Sequence, residues 1–150
     1  RNLNVQVRIP LPLSSSSPLH CRPSLPLSRT PPPCTPRCLA SHYVPHATRT
    51  EGVGLSAPQV GVNVRLMVYN PVGERGKGVE MVLVNPRIVK YAKARDVIEE
   101  GCLSFPKIYA DVERPMGVKV DAQDINGRKF SISLKEWQAR IFQHEYDHLE

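Results

Sequence analysis

The first fifty residues contain no lysine and no acidic residue, against six arginines, ten of the chain's fifteen prolines and a serine run from Ser14 to Ser17. So many prolines deny the segment a regular ladder of backbone hydrogen bonds. An Arg- and Ser-rich, acid-free stretch ahead of a balanced sequence has the pattern of an organelle transit peptide, with a disordered Pro-rich tail as the alternative. We expect residues 1–47 to form this leader and residues 48–150 to form the folded domain.

Residues 51–150 carry no charge excess: they hold fourteen Lys/Arg and fourteen Asp/Glu, so the net charge of +6 belongs wholly to the first part. A basic balance that comes from an arm, with no basic patch interleaved with aromatics, predicts no direct nucleic-acid binding. No stretch approaches the roughly 20 apolar residues that a membrane-crossing helix needs, which predicts no membrane partner. A cysteine pair is also missing from this part. Cys102 stands alone there, so it forms no internal disulfide and is either free or bound to a metal. The other three, Cys21, Cys34 and Cys38, sit in the leader. Cys34-x-x-x-Cys38 has no second ligand pair and is crowded by Pro31, Pro32, Pro33 and Pro36, so it is not read as a zinc knuckle.

No βαβ rhythm and no repeat is visible. Short β-rich runs separated by turn signals predict strands over 63–69, 80–84 and 87–91, with Pro86 ending the second. Two more, over 117–122 and 128–134, flank Asp124-Ile125-Asn126-Gly127, where Asn-Gly is a strong hairpin signal because both residues tolerate positive φ. Ser133-Leu134-Lys135-Glu136 fits a capping box and predicts a helix start. From there Trp137, Ile141, His144 and His148 fall on one stripe, which predicts that the histidine face is also the core-facing face. The expected fold class is α+β, with mostly antiparallel sheets packed around a C-terminal metal-binding helix.

That helix carries His144-Glu145-Tyr146-Asp147-His148. Positions four apart on an α-helix lie only about 40° from eclipsed, so both imidazoles can reach one ion while Glu145 stays free to move protons for an attacking water. This is a pattern for metal-assisted hydrolysis, and the ligands that complete it must come from upstream. The plainer alternative is a pair of buried histidines satisfied by hydrogen bonds.

Two further segments narrow the chemistry. One is the small-residue stretch Gly52-Val53-Gly54-Leu55-Ser56-Ala57-Pro58-Gln59-Val60-Gly61, and the other is Glu99-Glu100-Gly101-Cys102-Leu103-Ser104. Together with Phe142-Gln143-His144-Glu145-Tyr146-Asp147-His148-Leu149 they resemble the peptide deformylase family in its plant organellar form, over about residues 51–150 in unbroken order. The resemblance implies one divalent ion, Fe²⁺ or Zn²⁺, held by Cys102, His144 and His148. It implies a hydrolase that removes the N-formyl group from the N-terminal methionine of newly made proteins, giving formate and a free amine. Glu145 is then the general base and acid, while the Gln59 side chain and the Leu103 backbone N–H stabilise the oxyanion. The backbone of Gly52, Val53, Gly54 and Leu55 would pair with the peptide and leave room for formyl but not acetyl.

Glu100, Arg114 and Asp147 are expected to support the ligands, by orienting imidazoles or by ion pairing; Asp147 is assigned to an imidazole, and the choice between the roles stays open for Glu99 and Glu100. The implied partners are N-formylmethionyl nascent peptides near the organellar ribosome, and the implied location is the chloroplast or mitochondrion. Against the family pattern, the chain reads as incomplete at both ends of the catalytic domain. Two alternatives therefore stand beside the enzyme: a truncated, inactive deformylase-like protein, and a His-Glu-x-x-His metalloprotease.

Overall fold

The computed structural model describes residues 53–74, 77–102 and 104–150. The expected leader, its boundary at 47/48, and the site residues Gly52 and Leu103 lie outside them. Among the described residues seven strands precede one α-helix: β1 (Gly54–Ser56), β2 (Leu66–Tyr69), β3 (Met81–Tyr91), β4 (Arg95–Cys102), β5 (Phe105–Pro115), β6 (Gly117–Gln123), β7 (Lys129–Lys135) and α1 (Glu136–Asp147). A five-stranded sheet runs in the order β1-β2-β3-β6-β7, and β4 and β5 form a separate two-stranded sheet. Every pairing is antiparallel. The α+β expectation is met, with the helix between the two sheets.

The alternation of the last two large-sheet strands explains their pairing. In β6 Val118, Val120 and Ala122 are buried while Lys119 and Asp121 are exposed, and Leu134 of β7 sits opposite Val118. The Asp124–Gly127 hairpin forms where expected, although Asn126 does not take a positive φ and only the glycine does. Gly127 takes φ of 80°, and Asp124 Oδ1 accepts from the backbone N–H groups of Asn126 and Arg128 at 2.8 and 2.9 Å. The short aspartate side chain thus fixes the turn that sets the register.

Pro86 does not end a strand. β3 runs from Met81 to Tyr91, with a register shift between Val84 and Arg87 where Asn85 adopts φ of 49°. A bulge leaves a residue unpaired, and a proline without an N–H is tolerated there. The strand expected from residue 63 begins only at Leu66. The hairpin of β4 and β5, eight and eleven residues long, was not predicted. Its outer face mixes charge with exposed Val97, Ile108 and Tyr109, which blurs the period-2 signal.

The expected capping box at Ser133 is absent. Ser133 stays in β7 opposite Lys119, and the ladder continues to Lys135 opposite Gly117, so the helix starts at Glu136 with Lys135 as its cap residue. The sheet's backbone bonds outcompete a local cap. The helix is also not divided into one buried stripe and one wet face. Ala139, Arg140, Ile141, Phe142, Gln143 and Glu145 are all buried. Ala139, Ile141 and Phe142 join Met67, Tyr69, Leu83, Val118, Val120 and Leu134 in the main core. Burial of each large side chain of this set contributes about 1.5–3 kcal/mol. The histidines instead look toward β4, a second buried side that a single stripe does not capture.

Candidate metal centre and active site

Strand alternation decides which groups of Glu99-Glu100-Gly101-Cys102 reach α1. Glu100 and Cys102 are two apart, so they share a face. Glu100 is 5% exposed, whereas Glu99 is exposed and stands opposite Asp111. His144 lies in α1 and His148, four positions on, is its C-cap residue, with ring centroids 5.3 Å from each other. The two elements meet so that the ligand atoms of Cys102, His144 and His148 all lie within 4.8 Å of one another. Cys102 Sγ is 3.3 Å from His148 Nε2.

This donor set suits a metal ion on three counts. A tetrahedral ion with bonds of about 2.0–2.3 Å spaces its ligand atoms roughly 3.5 Å apart, close to the sulfur–nitrogen distance here. His144 Nε2 is buried and has no hydrogen-bond partner, which in a dry site leaves a lone pair aimed at the cluster. Its other nitrogen, Nδ1, lies 2.9 Å from Glu100 Oε2, the arrangement that fixes the tautomer of a ligating histidine. One thiolate sulfur and two imidazole nitrogens are the donor set of a transition-metal site rather than of a Mg²⁺ or Ca²⁺ site.

Electrostatics favour the ligating form of the thiol. Burial pushes the Cys102 thiol up, but His144, His148 and the Ser104 backbone outweigh it and bring it down to about 5. Burial opposes a charge on His144 as well, and the pull of the Cys102 sulfur and the Glu100 carboxylate raises it to about 10. A metal held by Cys102, His144 and His148 would take the place of that proton, since ligation needs deprotonated groups.

Glu100 is the hub behind the ligands. Its carboxylate accepts from Arg114 through Nε at 2.7 Å and Nη2 at 2.9 Å, from Arg140 Nη1 at 3.0 Å, and contacts His144. Burial alone would raise its pKa, yet these partners hold it at about 2. Arg140 also donates to Val112 O of β5 and Asp96 O of β4, so one guanidinium fastens the cysteine hairpin to the histidine helix. Arg140 was not singled out in the sequence, although it stands four before His144 on the same stripe. Asp147, expected to orient an imidazole, instead places Oδ2 2.8 Å from Arg114 Nη1.

Glu145 is 1% exposed and packs on β1. Burial pushes its carboxyl up to about 7, against the lowering effect of His144 and of Ser56. Gln59 follows β1 in a short 3₁₀ turn, Ala57–Val60. Its Oε1 accepts from the Ser56 N–H at 2.7 Å, so one end of the amide caps the turn. The other end, Nε2, points to Cys102 Sγ at 4.0 Å and donates to Ser104 Oγ at 3.3 Å. Gly54 touches Glu145, Val53 O accepts from Asn70 N at 2.7 Å, and Leu55 is buried. Among the described strands β1 lies at the edge of its sheet, paired only with β2. Among the described residues no helix is long and apolar enough to cross a membrane.

The sequence model of the polypeptide deformylase family matches residues 37–150. Peptide deformylase 1B, chloroplastic/mitochondrial, of Arabidopsis thaliana is 66% identical over 102 residues, which are 68% of this chain and 37% of that protein. Peptide deformylase 2 of Gloeobacter violaceus is 42% identical over 114 residues, 76% of this chain and 61% of that protein. The chain thus spans little more than a third of the plant relative. A crystal structure of the Arabidopsis thaliana enzyme with an inhibitor superposes with a TM-score of 0.74 at 59% identity, covering 77% of this chain and 64% of that one. The peptide deformylase of Thermotoga maritima gives 0.67 at 38% identity, covering 74% and 72%. With its donor cluster, its buried glutamate and this match over more than half its length, the chain belongs to the polypeptide deformylase family.

Proposed function

We propose that the chain is a peptide deformylase, which hydrolyses the N-formyl group of formyl-methionyl peptides to give formate and a free N-terminal amine. The observation that carries this reading is the convergence of Cys102, His144 and His148 on one point beside a buried glutamate and the Gln59 amide. The family is metal-dependent, and Cys102, His144 and His148 would hold one Fe²⁺ or Zn²⁺. When bound, such an ion supplies Lewis-acid chemistry, making water more acidic and drawing charge from a carbonyl oxygen.

The remaining work belongs to side chains and backbone. Glu145, with a carboxyl pushed up to about 7, takes a proton from the attacking water and returns it to the departing nitrogen near neutral pH. Gln59 Nε2 and the Leu103 backbone N–H donate to the oxyanion; losing one such donor costs about 3 kcal/mol of barrier. Glu100 holds the His144 tautomer, and Arg114, with Asp147 behind it, holds Glu100. Gly54 and Leu55 lie in β1, an edge strand among the described ones, and the stretch Gly52-Val53-Gly54-Leu55 would take an extended peptide as an added strand. A closely fitted acyl site there admits formyl and excludes acetyl.

We assign residues 1–47 to a leader and residues 48–150 to the catalytic domain, while the family match extends back to residue 37. The relatives' chloroplastic and mitochondrial names support the same compartments here, with nascent chains emerging from the organellar ribosome as substrate. The test is to load the expressed chain with Fe²⁺ or Zn²⁺ anaerobically and assay formyl-Met-Ala-Ser beside Glu145→Gln. Formate release by the wild type that is abolished in the variant is the expected result. Stoichiometric metal with no release by either protein would instead select the inactive alternative, and internal cleavage of an unformylated peptide would select the metalloprotease.

A further inference from the structure

Gly54 and Ser56 stand two apart in β1 and therefore face the same side of the strand, where they meet Glu145. A Cβ on Gly54 would lie 2.5 Å from Glu145 Oε1, so that oxygen is confined by the space a glycine leaves. Ser56 Oγ lies 2.9 Å from Glu145 Oε2 and 2.7 Å from the Glu145 backbone carbonyl oxygen. Ser56 itself is 0% exposed. The hydroxyl has one proton to donate, to either oxygen, and its lone pairs can also accept from a carboxyl.

The same residue holds a second group. The Ser56 backbone N–H donates to Gln59 Oε1 at 2.7 Å, which turns Gln59 Nε2 toward Cys102 and Ser104. Resting on the deformylase reading, we infer that Ser56 is a positioning residue: its hydroxyl fixes the Glu145 carboxylate and its amide fixes Gln59. One residue of β1 thereby sets the separation between the proton carrier and the oxyanion donor. A glutamate side chain has three rotatable torsions, and a misplacement of about 1 Å at a catalytic group is enough to lower turnover substantially.

Ser56→Ala removes Oγ, and with it the capping-box contact to the Gln59 backbone N–H, but keeps the Ser56 N–H that holds the Gln59 side chain. With the metal-loaded full chain and formyl-Met-Ala-Ser, kcat should fall about tenfold while KM stays within twofold. Ser56→Thr, which restores a hydroxyl, should recover most of the loss. Crystal structures of the wild type and Ser56→Ala should show the Glu145 carboxylate displaced and Gln59 unmoved. An unchanged kcat, or a fall in kcat with the carboxylate in its original place, would overturn the assignment. A wild type without deformylase activity would sink the functional reading alone, because the two carboxylate positions still decide whether Ser56 holds Glu145.

Discussion

His144 Nδ1 lies 2.9 Å from Glu100 Oε2, and this contact leaves Nε2 of the same ring turned toward Cys102 and His148 without a hydrogen bond. The carboxylate, not the helix alone, decides which nitrogen is offered to a metal. Replacing Glu100 with Ala should lower metal affinity about 10- to 100-fold, the usual cost of losing the group that orients a ligating histidine. It should also destabilise the fold by about 3–5 kcal/mol, because Arg140 would keep its buried charge with only carbonyl acceptors and Arg114 would keep only the exposed Asp147. Chelator competition and urea unfolding read the two effects separately.

Acid should expose the same carboxylate. Glu100 titrates at about 2 in the folded chain and near 4.5 when unconstrained. Its contribution is therefore complete above about pH 4.5 and is lost as the pH falls toward 2, where the unfolded chain takes up the proton first. The unfolding free energy from urea titrations between pH 6 and pH 3 should fall more steeply for the wild type than for Glu100→Gln, by up to about 1.4 kcal/mol per pH unit, the slope of one proton per chain. Parallel slopes would contradict the assignment.

Gly54 tolerates no side chain. An added Cβ would come within 2.5 to 2.9 Å of three Glu145 atoms, Oε1, Cγ and Cδ. Gly54→Ala should cost about 1–3 kcal/mol of stability, as overpacking does. It should also reduce turnover more than tenfold, since the atoms that must yield belong to Glu145. Thermal unfolding and steady-state kinetics on the metal-loaded chain would show both losses.

Lys107 is a strained non-glycine residue, with φ of 68° near the start of β5. The left-handed region costs an L-residue about 1–2 kcal/mol, and glycine's larger entropy in the unfolded chain offsets about half of that. Lys107→Gly should raise stability by about 0.5–1 kcal/mol, with Lys107→Ala neutral, by urea denaturation.

Metal should couple to folding through the thiol. Binding only to the folded chain at 100 times Kd adds about 2.7 kcal/mol of stability. Zn²⁺ should raise the melting temperature of the wild type and leave that of Cys102→Ala nearly unchanged, in a calorimetric comparison with and without chelator.

Much of the site was legible because its signals are local. His144, Glu145 and His148 are placed by helical spacing, and the lone Cys102 had few roles open to it. The Asp124–Gly127 turn declared itself through Asn-Gly. Other signals were present and unread: the two-residue phase linking Glu100 to Cys102, the same phase linking Gly54 to Ser56, and the four-residue step from Arg140 to His144. Ser133 misled because a capping box is a local preference, and a continuing β6–β7 ladder overrode it.

By itself the sequence determined the chemistry on offer: a histidine pair, a thiol, a carboxylate and an amide, together with an α+β alternation of strands ahead of a helix. Tertiary structure alone decided which partners those groups have. Glu100 became a hub rather than Glu99 because β4 turns only one of them toward α1. Asp147 went to Arg114 rather than to an imidazole, and Arg140 came to tie β4 and β5 to the helix. The physical reason is range. Backbone periodicity fixes where a side chain points along its own element, but a hydrogen bond between β4 and α1 joins residues some forty positions apart. Only the packing of the sheets about the helix brings such groups together.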